Sequence, residues 1–435
     1  MSENEFMPLT NIDNLIGRRN GIIKEIYTLN TDSVEPDIYI FVAERGALDW
    51  ETPKEDANRY GSGGGSTKAQ ALLSSCGEVI ERYCSSFISK NSIRGSFKEL
   101  KNIYSLLDPS QIELFSEAQY NTKDFPFKKF TEESVIEWVE AYSYKKQKGI
   151  YVPAFLVYLP YNRYELGASH SPSSSAGLAC ADTVEEATDR AILELIERDA
   201  FTVLWLNKLS PPRIVVDNLP DSDQLKEKFK FSNIKYDIFD ITSDFQIPIT
   251  AVFCFGDSPF GYVAAMGLGT SFDSTYSLKK ALIENALGRK AIHFYREKSP
   301  NKKYLPDFKD VASFHDHGYV YSTDSSLKEN LSFLLDSPQN VTALTKKTVK
   351  SGLIDHILSR GFDVIIKDLT TPDIAENGLR VVRAIIPGLA QLHGIHPFPF
   401  LGSKRLCQPA KVFSWSSKMI STEEEIKNFP PHMLP

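Results

Sequence analysis

A short acidic phrase, Glu-x-x-Glu-Arg, occurs twice in this chain of 435 residues. Its acids are Glu78 and Glu81 in the first copy and Glu194 and Glu197 in the second. Each copy lies in a segment with helical periodicity, and residues three apart share one helix face with about 5–6 Å between their Cβ atoms. Two such helices facing each other would gather four carboxylates and two arginines, a group that needs a cation to offset its repulsion. Because oxygen ligands suit Mg²⁺ held with a phosphate substrate, the phrase predicts a magnesium–nucleotide enzyme.

Capping signals predict where the helices that carry these acids begin. Thr67 with Gln70 and Thr183 with Glu186 have the spacing of capping boxes, which places a helix start at each threonine. Glu186 is open to two interpretations, because a capping glutamate is structural and the same side chain could contact a nucleotide. The two helices are predicted over residues 67–89 and 184–208.

A glycine-rich stretch, 61–68, leads into the first helix. It is interpreted either as a flexible linker or as a loop that presents an anion site at the helix N-terminus. A third helix is predicted over 276–297 and repeats an acid-then-arginine pattern with Glu284 and Arg289. The other predicted elements are strands at 37–44, 151–158, 213–216, 235–241, 249–255, 260–268, 362–369 and 378–386 and a helix at 343–359.

The acidic phrase also has a purely structural interpretation. Glu-x-x-Glu-Arg is common on solvated helix faces, where it forms intrahelical ion pairs. Its repetition favours a functional interpretation, although chance or an internal duplication would also produce it. Other reactive residues offer no competing chemistry. Cys76 and Cys84 fall on the apolar side of the first helix and are predicted to be buried and inert. The histidines lack the spacing of metal ligands, and His315 and His317 are predicted to be exposed in a loop.

Composition argues against several classes of protein. The formal net charge of −7 and a pI of about 5.7 argue against a general nucleic-acid binder. Five cysteines without a C-x-x-C pair argue against a disulfide framework and a structural zinc site. The N-terminus lacks a signal-peptide pattern, and no apolar run approaches the ~20 residues that cross a bilayer, so a cytoplasmic protein is expected.

Taken as an ordered set, these phrases resemble the YcaO family of ATP-dependent enzymes that modify peptide backbones. The resemblance extends from about Gly61 to Arg405. Besides the glycine stretch and the acidic phrases, it rests on four short runs at 175–179, 267–270, 386–389 and 396–402.

The resemblance implies ATP and Mg²⁺ as cofactors and a role for individual residues. The implied magnesium ligands are Glu78, Glu81, Glu194 and Glu197. The implied nucleotide-binding residues are Ser74, Glu78, Arg82, Asp182, Glu186, Glu194, Arg198 and Arg289. The implied catalytic residues are Arg198, Arg289 and Pro435. Two departures affect nucleotide contacts: Gly64 where many relatives carry lysine, and Leu287 where glutamine is often seen.

The resemblance also implies a reaction. In azoline-forming members, a Cys, Ser or Thr side chain of a ribosomally made peptide attacks the preceding backbone carbonyl. ATP phosphorylates the resulting oxyanion, and phosphate leaves to give a thiazoline or oxazoline. Such phosphoryl transfer needs positioning and charge neutralisation more than a protein nucleophile. The alternatives are thioamide or macroamidine formation by the same phosphorylation, and a non-catalytic scaffold subunit of a peptide-modifying complex.

The C-terminal run Pro-Pro-His-Met-Leu-Pro, 430–435, bears on that choice. It is similar to the proline-rich tail of the family's cyclodehydratases, although Met433 departs from the alternating pattern. The tail therefore favours azoline formation, and an ordinary frayed terminus is the structural alternative.

The expected fold is α/β with mixed α+β character, one large YcaO-type catalytic domain whose sheets and helices enclose a nucleotide site. Its predicted parts are an N-terminal segment at 1–60, a catalytic core at 61–410 and a C-terminal tail at 411–435 that reaches the active site. The implied partners are a precursor peptide and a leader-peptide-binding protein. A flavin-dependent azoline dehydrogenase and a second copy of the chain, in a homodimer, are further possible partners. No nucleic-acid or membrane partner is expected.

Overall fold

The computed structural model describes residues 12–30, 35–46, 59–167, 169–219, 221–231, 234–259, 261–336, 341–342 and 352–434. The strands are β1 Ile23–Leu29, β2 Tyr39–Arg45, β3 Tyr60–Gly65, β4 Ile93–Gly95, β5 Ile136–Ser143, β6 Lys148–Pro153, β7 Leu178–Ala181, β8 Arg213–Ile214, β9 Lys235–Asp240, β10 Ile249–Ser258, β11 Gly261–Thr270, β12 Val341–Thr342, β13 Ile365–Asp368 and β14 Arg380–Ile385. The helices are α1 Lys68–Ser85, α2 Phe97–Leu100, α3 Glu117–Tyr120, α4 Val184–Leu206, α5 Ser222–Phe229, α6 Ser274–Lys298, α7 Phe314–Thr323, α8 Ser332–Leu335, α9 Leu353–Ser359, α10 Pro372–Glu376, α11 Pro409–Val412 and α12 Glu423–Ile426. The expected mixed α/β class is confirmed.

Two compact units share these elements. The described residues within Met1–Leu29, Tyr39–Leu195 and Ser351–Gly388 form the first unit. Those within Asn30–Ile38, Ile196–Lys350 and Leu389–Pro435 form the second unit. Helix α4 contributes to both, with Glu194 in the first unit and Glu197 in the second. The predicted part boundaries at residues 60 and 410 stay predictions.

The first unit holds two sheets. One is antiparallel in the order β1-β2-β3, and the other runs β4-β5-β13-β14-β7 with β6 paired to β5. Helix α1 packs against β2 and β3 and also contacts β7. It begins after Thr67, whose side chain accepts a hydrogen bond from the Gln70 N–H, as the capping signal predicts. Its apolar face, which includes Val79 and Ile80, is buried and leaves the acids on the other side.

Residues 61–65 of the glycine-rich stretch form a strand, so its interpretation as a flexible linker or a loop is wrong, and anion binding at the helix N-terminus stays a prediction. These residues belong to β3, which pairs with β2 along its whole length. A Cβ on Gly63 would overlap the Ala71 carbonyl and the Ser75 N–H of α1, so a side chain there would push the strand off the helix. The glycines are therefore required by the close packing of β3 on α1.

The second unit has one sheet, in the order β11-β10-β9-β8-β12. Helix α6 packs against β10 and β11. A Cβ on Gly269 would overlap the Ser277 carbonyl of α6, the same restriction that Gly63 has beneath α1. Asp273 caps α6 by accepting from the Tyr276 N–H.

Most predicted elements are present with shifted ends. The three long helices α1, α4 and α6 lie within four residues of their predicted limits. The strand predicted at 151–158 ends at Pro153, where pairing with Trp138 of β5 stops and a short 3₁₀ turn follows. Much of the helix predicted at 343–359 lies outside the described residues, and its described part is α9. Among the helices that the structure describes, none is both long and apolar enough to cross a bilayer.

Candidate active site

Three of the predicted magnesium ligands come together in the first unit, and we call them the acid cluster: Glu78, Glu81 and Glu194. Helix α1 supplies the first two, three residues apart, and α4 supplies the third. Burial, followed by the negative charges of Glu194 and Glu78, raises the pKa of Glu81 to about 8. This placement agrees with the convergence that the two acidic phrases predict, and the role of these acids as metal ligands stays a prediction.

Backbone amides hold the carboxylates of the acid cluster in place. Each carboxylate accepts a hydrogen bond from a main-chain N–H: Ser62 to Glu78 Oε2 (2.8 Å), Cys180 to Glu81 Oε1 (2.8 Å) and Gly177 to Glu194 Oε2 (3.1 Å). Two of the donors belong to strands β3 and β7. Because main-chain donors cannot rotate away, the acids are fixed before any ligand binds, which is the arrangement a rigid ion site needs.

The donor chemistry of the acid cluster suits a magnesium ion, and its role as a metal site stays a prediction. Its donors are all carboxylate oxygens, the ligands that hard divalent cations prefer. Burial is the first cause of the raised pKa of Glu81, and the negative charges of Glu194 and Glu78 raise it further. A divalent cation would favour the ionised form of Glu81 and so oppose this shift.

Two arginines lie near the acid cluster. Arg82 pairs with Glu78 one helical turn away, at 3.1 Å. Arg383 on β14 was missed by the sequence analysis. It is buried, and it donates from Nε to the Leu156 carbonyl and from Nη2 to the Ser174 carbonyl.

The remaining nitrogen of Arg383, Nη1, is buried without a partner. Burial lowers the pKa of Arg383 to about 10, while the charge of Glu194 acts in the opposite direction. A lone arginine in a strand has no spacing signal, so only the fold reveals it.

The predicted nucleotide-binding residues of the first unit lie in three settings. Ser74 is exposed on α1. Asp182 follows β7, and burial together with the charge of Glu186 raises its pKa. Glu186 lies in the first turn of α4, where its N–H donates to Thr183 Oγ1 and its carboxylate pairs with Arg190. The cap at Thr183 is confirmed, and the nucleotide contacts of these residues stay predictions.

Glu197 and Arg198 belong to the second unit. Glu197 is buried and accepts a hydrogen bond from Thr270 Oγ1 at 2.7 Å. The Arg198 guanidinium lies 4.0 Å from the Glu197 carboxylate. The next residue, Asp199, is fully buried and forms a bidentate ion pair with Arg405. The role of Glu197 as a metal ligand and that of Arg198 as a nucleotide contact and catalytic residue stay predictions.

Arg289 has structural partners in the second unit. Its guanidinium is buried, donates to the Tyr236 hydroxyl at 2.9 Å and pairs with Glu35 at 3.1 Å. Glu35 also contacts His293 at 3.1 Å. The sequence did not indicate these partners, because Glu35 lies far away in the chain. A role for Arg289 in nucleotide binding or catalysis stays a prediction.

The C-terminal tail is packed into the second unit and is not a frayed terminus. Trp205 Nε1 donates to the Pro430 carbonyl and the Tyr321 hydroxyl donates to the Pro431 carbonyl, both at 2.8 Å. Met433 is buried. The predicted catalytic residue Pro435 lies outside the described residues.

The prediction for the two cysteines of α1 is confirmed, and the prediction for the two histidines is partly wrong. Cys76 and Cys84 are buried, and burial raises the pKa of their thiols to about 12 and about 11, so they are inert as predicted. His315 and His317 lie on α7 and not in a loop. His315 is exposed, but His317 is fully buried, so that half of the prediction is wrong.

The family model of the YcaO cyclodehydratases, described as ATP- and Mg²⁺-binding, matches residues 62–390. The chain belongs to the YcaO family. The match includes all three acids of the acid cluster, and it confirms ATP and Mg²⁺ as the cofactors.

Known relatives and solved structures agree with this membership. An uncharacterised protein of Methanothermobacter thermautotrophicus is 27% identical over 349 residues, 78% of this chain and 83% of that protein. A heterocyclase in complex with substrate and cofactor has a similar fold, with a TM-score of 0.77 and 23% identity over 98% of this chain. This chain spans only 57% of that heterocyclase.

Two further structures share the fold. The YcaO protein of Methanopyrus kandleri bound with AMPPCP and Mg²⁺ has a TM-score of 0.62 and 19% identity, covering 94% of this chain and 93% of its own. A chain of the Escherichia coli microcin synthetase McbBCD complex has a TM-score of 0.61 and 15% identity, covering 93% and 96%. At these identities the likeness concerns the fold.

Proposed function

We propose that this YcaO protein is an ATP- and Mg²⁺-dependent peptide cyclodehydratase. Its substrate would be a ribosomally made precursor peptide, in which Cys, Ser or Thr residues become thiazolines or oxazolines through phosphorylation of the backbone amide oxygen. The observation that supports this most is the acid cluster, whose carboxylates are held on backbone amides.

In this proposal Glu78, Glu81 and Glu194 hold Mg²⁺, and Glu197 is a further ligand. When bound with ATP, the ion would neutralise charge on the phosphates during transfer. Arg82 orients Glu78 through their ion pair. Ser74, Asp182, Glu186, Arg198 and Arg289 complete the proposed nucleotide-binding set, with Arg198, Arg289 and Pro435 as the proposed catalytic residues.

The state of the thiols supports a reaction in which the substrate supplies the nucleophile. Cys76, Cys84, Cys180 and Cys254 are buried, and burial raises the pKa of each thiol. A thiol that stays protonated is a poor nucleophile. Ring closure by a peptide side chain needs no enzyme nucleophile, which agrees with these inert thiols.

The proposal includes a partner protein that binds the leader part of the peptide and delivers it. One structure with a similar fold belongs to a complex, McbBCD, which has also been described with pro-MccB17 bound. A flavin-dependent dehydrogenase that oxidises azolines to azoles would act on the product, and the chain could also act as a homodimer.

Mass spectrometry of a candidate precursor peptide tests the proposal. The peptide is incubated with this chain, the proposed partner protein, Mg²⁺ and ATP. The expected result is the loss of one water per modified residue, absent without ATP and absent with Glu194→Gln. Glu185→Gln, an exposed acid on the same helix, is the matched control and should retain activity.

Two results would change the assignment. Exchange of oxygen for sulfur when sulfide is supplied would replace cyclodehydration by thioamide formation. Water loss that persists in Glu194→Gln would remove the acid cluster from the reaction.

A further inference from the structure

Three histidines that are far apart in the sequence meet inside the second unit. His317 lies on α7, His393 lies in the segment after β14, and His432 belongs to the C-terminal tail. All three are buried, with exposed fractions of 0%, 2% and 0%. One ring nitrogen from each can be chosen so that all lie within 4.8 Å of one another. We call them the histidine cluster.

Several ring nitrogens in and beside the histidine cluster have no partner. His317 Nε2 and both ring nitrogens of His393 are buried without a hydrogen bond, and so is Nδ1 of the neighbouring His396. A buried polar atom without a partner costs about 1–3 kcal/mol. Four such atoms around one spot therefore indicate that something is bound there in the working protein.

The hydrogen bonds that do exist set which ring nitrogen carries the proton in two of the histidines. His317 Nδ1 lies 3.3 Å from the His432 carbonyl oxygen, which can only accept, so Nδ1 carries the proton and Nε2 has a free lone pair. His432 Nε2 lies 2.7 Å from the His393 carbonyl, so its Nδ1 has the lone pair, which accepts a hydrogen bond from the Leu434 N–H at 3.3 Å that zinc would have to replace. An imidazole that donates one N–H to a carbonyl and offers its other nitrogen is typical of metal-bound histidine.

We propose that His317, His393 and His432 bind one zinc ion. An all-imidazole set suits zinc, and it does not suit Mg²⁺, which prefers oxygen ligands. The sequence argued against structural zinc from its cysteines, but histidine ligands brought together by folding leave no such spacing signal. The site is separate in chemistry from the acid cluster and does not depend on the proposed function.

The charge state of the histidine cluster agrees with this proposal. Burial, opposed in part by the carbonyl contact of His393, lowers the pKa of His432 to about 3. Burial and the neighbouring histidines lower the pKa of His317 and of His393 well below the usual range. The charge facing the cluster from α4 is Arg198, which also opposes protonation of His432. Neutral imidazole is the form that binds metals.

Zinc binding requires a local rearrangement of the rings. Tetrahedral zinc with bonds of about 2.0–2.1 Å separates its ligand nitrogens by about 3.3 Å. The ring nitrogens of the histidine cluster, which lie within 4.8 Å of one another, must therefore move closer together. The rings of His317 and His432 are stacked with centroids 3.6 Å apart. They must tilt apart, because a metal is bound in the plane of an imidazole. His396, whose ring centroid lies 5.8 Å from that of His317, is available as a fourth ligand.

The expected consequence is a tail anchored by metal. His432 would be tied to α7 through His317 and to the segment after β14 through His393. This anchor would add to the hydrogen bonds that Trp205 and Tyr321 make with the tail.

Titration of the full chain with metal alone tests the proposal. The chain is treated with a chelator, exchanged into buffer without nucleotide or peptide, and titrated with ZnCl₂ against a competing indicator and, separately, with CoCl₂. One zinc per chain is expected, with the visible absorption bands of tetrahedral Co²⁺. Zinc should also raise the melting temperature.

Substitutions identify the ligands. His393→Gln and His317→Gln should weaken zinc binding by at least the 10–100-fold that is typical for loss of an outer partner of a metal ligand, and zinc should no longer raise their melting temperatures. His315→Gln, an exposed histidine on the same helix as His317, is the matched control and should bind zinc like the unaltered chain.

Two results would overturn the proposal: an unaltered chain that binds neither Zn²⁺ nor Co²⁺ stoichiometrically, or folded cluster variants that bind zinc as tightly as His315→Gln. If a variant does not fold, the metal stoichiometry and cobalt spectrum of the unaltered chain decide the question. Because no nucleotide is present, failure here leaves the proposed cyclodehydratase function untouched.

Discussion

Helix α1 on strands β2 and β3 and helix α6 on strands β10 and β11 are built in the same way but carry their charges differently. In each region an antiparallel strand presents glycines to the helix, Gly63 beneath α1 and Gly269 beneath α6. Each helix also carries an acid followed by an arginine. On α1 the pair Glu78–Arg82 is partly accessible, with side chains 32% and 16% exposed. On α6 the side chain of Arg289 is 1% exposed and pairs with Glu35, which is 3% exposed.

The two regions share the packing of strand on helix but differ in the exposure of their charged side chains. The glycines allow a close strand–helix approach in both regions, so they indicate the local fold and not the function. Glu78 on α1 is accessible enough to meet a ligand, whereas Arg289 on α6 forms a buried salt bridge with Glu35 in the second unit. The arginine of the same sequence pattern thus has an accessible partner in one region and a buried partner in the other.

Neutralising an acid of α1 should have the largest effect. We expect Glu81→Gln to lower ATP turnover by at least about 100-fold, the scale of losing one preorganised electrostatic contact. The free energy of unfolding should stay the same or rise, because a crowded negative charge is removed. Steady-state phosphate release checks this, with Glu185→Gln as the control. Turnover within a few fold of the unaltered chain would exclude Glu81 as a ligand.

Removing Arg289 should lower the free energy of unfolding much more than removing Arg82. Arg289→Met removes the arginine partner of the buried Glu35, which keeps its contact with His293, and should cost about 3–5 kcal/mol of unfolding free energy. Arg82→Met removes only an i,i+4 pair, worth about 0.3–0.5 kcal/mol. Urea denaturation of both variants measures the contrast. Similar losses in the two variants would contradict the distinction between the two regions.

Adding a methyl group to the glycines should affect both regions alike. Gly63→Ala and Gly269→Ala force β3 and β11 away from their helices and should each cost about 1–3 kcal/mol. Gly77→Ala, a helical glycine of α1 with no heavy atom near an added Cβ, is the control and should stabilise by up to about 1 kcal/mol. Thermal denaturation compares them. A neutral Gly63→Ala would show that β3 has room to move.

The smallest effect is a pH dependence that arises from Glu81. Its folded pKa of about 8 is raised above the ordinary value of 4.5, so the folded chain binds more protons than the unfolded chain between these values. The contribution of Glu81 to stability is complete below about pH 4.5 and is lost as pH rises through about 8. In EDTA the melting temperature should therefore fall with pH less steeply for Glu81→Gln than for the unaltered chain. Equal slopes would contradict the raised pKa.

The sequence predicted those parts of the site that depend on local spacing. The three long helices, the caps at Thr67 and Thr183 and the paired acids all follow from periodicity within a few turns. The sequence misread the glycine stretch, because glycines that permit close packing look the same as glycines of a loop until the helix above them is known. It missed Arg383, the Glu35 partner of Arg289 and the histidine cluster, since each depends on contacts between distant parts of the chain.

Calorimetric titration with a non-hydrolysable ATP analogue tests whether the acid cluster binds magnesium together with the nucleotide. The unaltered chain should bind the analogue tightly with Mg²⁺ and weakly in EDTA, and Glu194→Gln should lose this magnesium dependence while remaining folded. Magnesium-dependent binding of equal strength in Glu194→Gln and in Glu185→Gln would contradict the assignment of the acid cluster as the magnesium–nucleotide site.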